Sequence, residues 1–260
     1  MKVVIFCGGQ GTRLREYSEN VPKPMVPIGY RPVLWHLMRY YAHYGHKEFI
    51  LCLGYRGEVI KDYFLNYKEA LSNDFVLSNG GKVQLLRSDI EDWKITFVDT
   101  GQPSTVGQRL KAVEKYVRGE KVFMANYADG LTDLPLPEYL EYCRKRDKVA
   151  NFVSVRPAWT FHVVSVRPDG LLENIRSVRD SDLWINGGYF VFKGEVFDYM
   201  DGVEDLPVQL FQKLLPLKQV AAYKYDGFWA CMDTFREKQL FDDLYASGHT
   251  PWQVWESSSG

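Results

Sequence analysis

At 260 residues, 46% hydrophobic and 25% charged, the chain has the composition of an ordinary globular protein and is long enough to bury a large core. A net charge of -1 provides no general field for nucleic acid or an anionic membrane, so any bound anion must be met by cations placed locally. No apolar run approaches the ~20 residues of a membrane span, and "MKVVIFCGG" lacks the long apolar stretch of a signal peptide, so a cytoplasmic protein is expected.

In chain order, "KVVIFC" (2–7) reads as a buried parallel strand, and the glycine loop "GGQGTRL" (8–14) follows directly. "RPVLWHLMRYYAHYG" has helical apolar spacing, a proline near its start and a closing Gly45. The rhythm repeats in "EFILCL" (48–53) with the amphipathic "GEVIKDYFLNY" (57–67), and again in "KITFVD" (94–99), "RLKAVEKYV" (109–117) and "KVFMANY" (121–127). Residues 68–93 interrupt it and read as an insertion or hairpin. Alternating strands and helices predict an α/β fold, a mainly parallel, Rossmann-like sheet covered by helices on both faces. From about residue 149 the pattern becomes β-rich: "ANFVSV", "FHVVSV" and "GYFVF", with "RPDG" (167–170) as a turn. "LPVQLFQKLLPL" (206–217) and "TFREKQLFDDLYASG" (234–248) read as late helices. One domain over 1–260 is expected, with a nucleotide-binding part (1–148) and a smaller, acceptor-binding part (149–260). Cys7, Cys52, Cys143 and Cys231 form no Cys-x-x-Cys pair and read as reduced thiols in strand-like surroundings.

The glycine loop fits neither common phosphate motif. Gly9 and Gly11 are followed by Leu14 where a dinucleotide fingerprint needs its third glycine, and no Gly-Lys-Ser/Thr closes a P-loop. Its position at the carboxyl end of the first strand is nonetheless where open α/β sheets bind ligands. Its glycines let backbone N–H groups approach phosphate oxygens, Thr12 adds a hydroxyl, and Arg13 adds a permanently charged fork. Lys23 stands between Pro22 and Pro24, which restrict the backbone carrying that cation. Asp129 follows the strand 121–127 and suits Mg²⁺ beside phosphate oxygens, although Asp-Gly also favours a plain turn. Asp233 precedes helical sequence, where an N-cap is the competing role. Together these residues point to phosphoryl or nucleotidyl transfer, with Arg13, Lys23, Asp129 and Asp233 as the catalytic set. No Gly-x-Ser-x-Gly nucleophile appears, so direct attack by the substrate's own phosphate is the simpler scheme.

"GGQGTRL" followed by "KPM" (23–25) resembles the signature of sugar-1-phosphate nucleotidyltransferases. "DTG" (99–101), "RLK" (109–111), "INGGYF" (185–190), "GFW" (227–229), "MDT" (232–234) and "PWQVWE" (251–256) look specifically like the members that transfer a cytidylyl group. The similarity runs nearly end to end. It implies that Gly8, Gly9, Gly11, Thr12 and Arg13 bind CTP, with Arg13 and Lys23 on its phosphates and Arg109 in the nucleotide site. It also implies that Asp129 and Asp233 hold Mg²⁺ and that Asn186 and Gly187 line the sugar pocket. The implied reaction is CTP plus glucose 1-phosphate giving CDP-glucose and pyrophosphate, in a homo-oligomer.

Three departures fall on or near the acceptor side. Where the family has Glu-Lys-Pro about nine residues before "INGG", this chain has Arg176, Ser177 and Val178; where it has Arg-Phe-Gly, this chain has Thr160, Phe161 and His162. Gly107 is followed by Gln108 in place of a second glycine. Either Arg176 or Arg179 grips the acceptor phosphate in place of the lysine, or the pocket takes another phosphorylated or phosphonylated acceptor with contacts from His162 and Trp159. A non-catalytic nucleotide-binding homologue is a further reading, opposed by retention of Arg13, Lys23 and both aspartates. A dinucleotide oxidoreductase fits poorly, since the second strand ends in Gly-Tyr-Arg without an acidic residue.

Overall fold

In the computed structural model, which describes residues 1–9, 21–158, 161–201 and 205–256, the opening apolar run forms β1 (Lys2–Phe6). Then come β2 (Pro27–Ile28), β3 (Arg31–Pro32), α1 (Val33–His43), β4 (Glu48–Leu53), α2 (Gly57–Leu65), β5 (Phe75–Ser78), β6 (Lys82–Leu85) and β7 (Lys94–Asp99). They are followed by α3 (Val106–Ala112), α4 (Glu114–Val117), β8 (Val122–Tyr127), β9 (Gly130–Thr132), α5 (Leu136–Arg146) and β10 (Ala150–Val155). The chain continues through β11 (His162–Val166), β12 (Leu172–Ser177), β13 (Ile185–Asn186), β14 (Phe190–Lys193), α6 (Phe211–Leu214), β15 (Val220–Tyr225), β16 (Trp229–Cys231) and α7 (Phe235–Ala246).

β1 lies between β4 and β8, parallel to both, and β7 extends the parallel set beyond β4. On the other side β14 runs antiparallel to β8, and β10 carries β13 and β14 antiparallel and β15 parallel. Alternate residues of the central strands feed opposite cores, as the period of a strand requires. Val3 and Ile5 join Leu51, Met124 and Val153 on one face, while Val4 and Phe6 join Ile50, Phe123 and Phe192 on the other. Both faces are therefore covered, and the mainly parallel sheet expected from the sequence is the one observed.

Differences from the sequence reading are local. The helix expected over 109–117 starts earlier, at Val106, because Thr105 and Gln108 form a capping box, and it breaks at Val113 into α3 and α4. Gln108, which replaces a glycine of the family pattern, thus has a structural task of its own. Residues 206–217 divide into a π-turn (Leu206–Leu210) and the short α6. The interruption at 68–93 is the hairpin β5–β6, turned at Asn79 and Gly80 with positive φ. Buried Arg31 ties its root down, bonding Tyr63, Ser72, the Lys68 carbonyl and Asp89 and stacking on Tyr67.

The C-terminal "PWQVWE" closes the core under α1. Trp252 is 1% exposed and packs on Phe228 and Phe241, and its Nε1 donates to Nδ1 of His36 at 3.3 Å. His36 Nε2 lies 3.1 Å from the Ile28 carbonyl. This arrangement fits only the neutral tautomer protonated on Nε2, because a second ring proton would face the tryptophan N–H. Burial, aided by the nearby Arg31 charge and opposed by the bond to the Ile28 carbonyl, accordingly lowers the His36 pKa to about 4. A base with a depressed folded pKa contributes stability above its unfolded value and loses it as pH falls through the folded value. We therefore expect stability to fall from pH 6.5 towards 4, with His36 accounting for roughly 3 kcal/mol at ~1.4 kcal/mol per pH unit. His36→Gln should flatten that part of the pH dependence in denaturant unfolding; an unchanged slope would clear His36 of the role.

Candidate active site

A cavity of about 600 Å³ opens at the carboxyl ends of β1 and β8, lined by Cys7, Gly8 and Gly9 from the first loop and by Tyr127, Ala128 and Asp129 after β8. The loop before α3 contributes Gln102 to Thr105, and Lys23, Asp205 and Asp233 complete the wall. This is the position at which open α/β sheets bind ligands.

Lys23 opens a single 3-10 turn (Lys23–Met25) whose neighbours Pro24 and Met25 are buried. Pro22 is extended at φ −65, so the lysine backbone is fixed from both sides. Its ammonium is held by both Asp129 and Asp233, carboxylates 104 residues apart in sequence. Pairing of β9 with β16 makes that meeting possible: Gly130 faces Cys231 and Met232 N–H donates to the Asp129 carbonyl at 2.9 Å. The competing roles considered for the two aspartates resolve differently. Asp129 does lie in a tight turn between β8 and β9, and the turn is what aims it into the cavity. The cap of α7 is Thr234, in a capping box with Glu237, so Asp233 stands one residue ahead of the cap.

Burial by itself would lower the Lys23 pKa, but the charges of Asp129 and Asp233 more than reverse this and raise it well above the ordinary value. The ammonium is therefore charged at any working pH. Two carboxylates with one cation leave the cluster formally one unit negative, an arrangement that suits a divalent cation once Lys23 finds another anion. Cys231 Sγ, 3.6 Å from Asp233 Oδ2, and Glu237 bring further donor atoms to within 4.8 Å. The sequence reading placed Cys231 among the structural thiols, whereas it lies beside the carboxylate cluster and is raised well above a normal thiol by burial and by Asp129.

Arg109 is 4% exposed and lines the cavity while spending its guanidinium on protein oxygens. Nη1 donates to the Leu53 carbonyl and Thr100 Oγ1, and Nη2 to the carbonyls of Gly8 and Gln102. It clasps three loops at the rim rather than presenting an open fork. Gly8 and Gly54 make room for it, since a Cβ on Gly8 would lie 2.0 Å from Arg109 Cζ. Among the described residues, nothing lies within 4 Å of a Cβ on Gly9. Gly11, Thr12 and Arg13 lie outside the described residues.

Asn186 reaches the cavity indirectly. Its Nδ2 donates to the Tyr127 hydroxyl at 3.5 Å, and its Oδ1 accepts from Gly188 N–H. The phenol stays neutral because burial raises its pKa, and Asp205 and Asp129 raise it further, so it retains a proton to donate. Gly187 packs against Val155, and its carbonyl accepts from Trp229 Nε1 at 2.9 Å. His162 and Arg176 are exposed on the β11–β12 hairpin, a separate two-stranded sheet, and Arg179 is exposed on the turn after it. None of these three lines the cavity. Trp159 and Thr160 lie outside the described residues, and Trp184 is flanked by Arg156 and Lys224, each 4.8 Å from its ring. Tyr127, Gln102, Thr105 and Asp205 were missed in the sequence; Tyr127 was signalled by its place at the carboxyl end of a strand, the others by no local motif.

A sequence profile of the nucleotidyl transferase family matches residues 2–230. The chain belongs to that family. It is 36% identical over 98% of its length to the glucose-1-phosphate cytidylyltransferase of Salmonella typhimurium and to a probable glucose-1-phosphate cytidylyltransferase of Bacillus subtilis, covering the whole of each. Among solved structures it resembles UDP-glucose pyrophosphorylase in complex with UDP-glucose, at TM-score 0.69 and 16% identity over 95% of this chain and 98% of the other. HddC from Yersinia pseudotuberculosis gives TM-score 0.67 at 20% identity over 94% and 99% of the two chains. The nucleotidyltransferases among these neighbours share the same α/β architecture. Among the described residues, no helix is long and apolar enough to cross a membrane.

Gly8→Ala should expel the Arg109 guanidinium from its four acceptors, at ~1–3 kcal/mol for each buried acceptor left unpaired. The expected result is a sharply lower melting temperature and loss of activity together, measured by calorimetry and turnover; a stable, fully active Gly8→Ala would refute the clasp.

Proposed function

We propose that the chain is a cytidylyltransferase that joins CTP to a hexose 1-phosphate, glucose 1-phosphate first, giving a CDP-sugar and pyrophosphate. The observation that carries this reading is Lys23 clasped between Asp129 and Asp233 in a cavity that Gly8 and Gly9 also line. The full-length likeness to curated cytidylyltransferases supports the choice of CTP and of the sugar phosphate.

In this scheme a phosphate oxygen of the acceptor attacks the α-phosphorus of CTP in line, the bond from that phosphorus to the bridging oxygen breaks, and pyrophosphate leaves with the electron pair. The protein's work is positioning and charge neutralisation. Backbone N–H groups of the Gly8–Gly9 segment approach the triphosphate where the described residues leave a face open at Gly9. Lys23 moves from the carboxylates to phosphate oxygens, and Asp129 and Asp233 would then hold Mg²⁺, whose charge neutralises the α-phosphate and the leaving pyrophosphate. Tyr127, oriented by Asn186, supplies a neutral hydroxyl at the same wall.

A different phosphorylated acceptor is the second reading, favoured by Arg176 and Arg179, the expected replacements for the family's lysine, standing away from this cavity. Pyrophosphate release measured with CTP, UTP, GTP and ATP against a panel of sugar 1-phosphates should be greatest with CTP and glucose 1-phosphate. Silence with every pair would remove the reading, and preference for another acceptor would select the second one. Asp129→Asn and Asp233→Asn should each reduce kcat by roughly 10³-fold, the size of a lost electrostatic group in an active site, with the melting temperature little changed. Full activity in the double variant would exclude both residues from the reaction.

A further inference from the structure

A second cavity, of about 660 Å³, lies at the other end of the strands. It is bounded by Val122 at the start of β8, by Lys193 at the end of β14 and by the last turns of α5, whereas the nucleotide cavity adjoins Tyr127 at the far end of β8. A strand of six residues, ~20 Å long, therefore separates them. Nothing in the proposed reaction uses this space.

Three features of its wall bear on what it accepts. The floor is apolar, formed by Leu140 and Cys143 of α5 against Val191 of β14. The rim carries more cations than acids, and among the described residues Lys121 and Lys148 make no ion pair, while Lys193 is engaged by Asp147 at 2.9 Å. Between floor and rim stands Asn151, 2% exposed. Its Nδ2 donates to the carbonyls of Lys148 and Val191, but among the described residues its Oδ1 receives no hydrogen bond. A buried acceptor left without a donor costs ~1–3 kcal/mol, a cost recovered when a ligand supplies the donor.

We propose that this cavity is a second small-molecule site and that it takes a nucleoside phosphate. The base brings an N–H to Asn151 Oδ1 and lays its ring against Leu140 and Val191, and the phosphate meets Lys121 and Lys148. The volume lies within the ~300–1,000 Å³ of ordinary ligand pockets. An apolar ligand would leave the Asn151 oxygen unpaired, and inorganic phosphate would leave the floor unfilled; a heterocycle joined to a phosphate satisfies both ends.

Equilibrium dialysis with CTP, UTP, GTP and ATP, each alone, tests the site by stoichiometry. At least one of the four should bind at two equivalents per wild-type chain, one of them lost in Lys23→Met and the other in Lys121→Glu/Lys148→Glu. The double variant should keep the wild-type KM for CTP, since neither lysine lines the nucleotide cavity. If charge reversal lowers the melting temperature, Lys121→Gln/Lys148→Gln gives the same reading. No nucleotide binding beyond the equivalent removed by Lys23→Met, or a second equivalent that survives neutralisation of both lysines, overturns the proposal.

Discussion

The ammonium of Lys23, held between Asp129 and Asp233, is the interaction to which the rest of the site answers. Burying one cation against two anions is favourable only when the geometry is held from outside, because each ion has lost water. Three separate pieces of the fold hold it. Pro22 and Pro24 stiffen the lysine's backbone, the turn out of β8 aims Asp129, and the β9–β16 pair brings Asp233 across from the last quarter of the chain. Sequence-distant carboxylates thus converge through two short antiparallel strands appended to a parallel sheet.

The same logic explains the rim. Arg109 gives its charge to four oxygens on three loops, so the loop after β1, the end of β4 and the loop before α3 are one cross-linked unit. Gly8 and Gly54 are glycines because this guanidinium lies flat against them. A cation that the family resemblance places in the nucleotide site is here a positioning residue that fixes the shape of the cavity. Among the described residues, the cations left for a triphosphate in this cavity are then few, which gives Lys23 its weight in a chain of net charge -1.

The sheet was legible in the sequence because its central strands are short, nearly continuous apolar runs, and burial on both faces follows from that pattern. The places of Lys23, Asp129 and Asp233 were legible for the same reason, since each follows or precedes an element whose end is easy to mark. Less legible was anything set by tertiary contact. Gln108 reads as a lost glycine but is a capping-box residue, and Cys231 reads as a core thiol but neighbours Asp233. Exposed Arg176 and His162 lie on a hairpin whose place relative to the sheet no local pattern encodes. Tyr127 and Asn186 meet only because β13 and β14 share one edge of β10 and Gly187 and Gly188 join them.

The proposed chemistry requires that lysine to leave the carboxylates when nucleotide arrives. A crystal structure of the wild-type protein with a non-hydrolysable CTP analogue and Mg²⁺ tests it directly. The expected result is Lys23 Nζ on phosphate oxygens, with Asp129 and Asp233 both ligating the metal in the cavity of about 600 Å³. A nucleotide bound there while Lys23 remains clasped between the two carboxylates, with no metal at either, would contradict it.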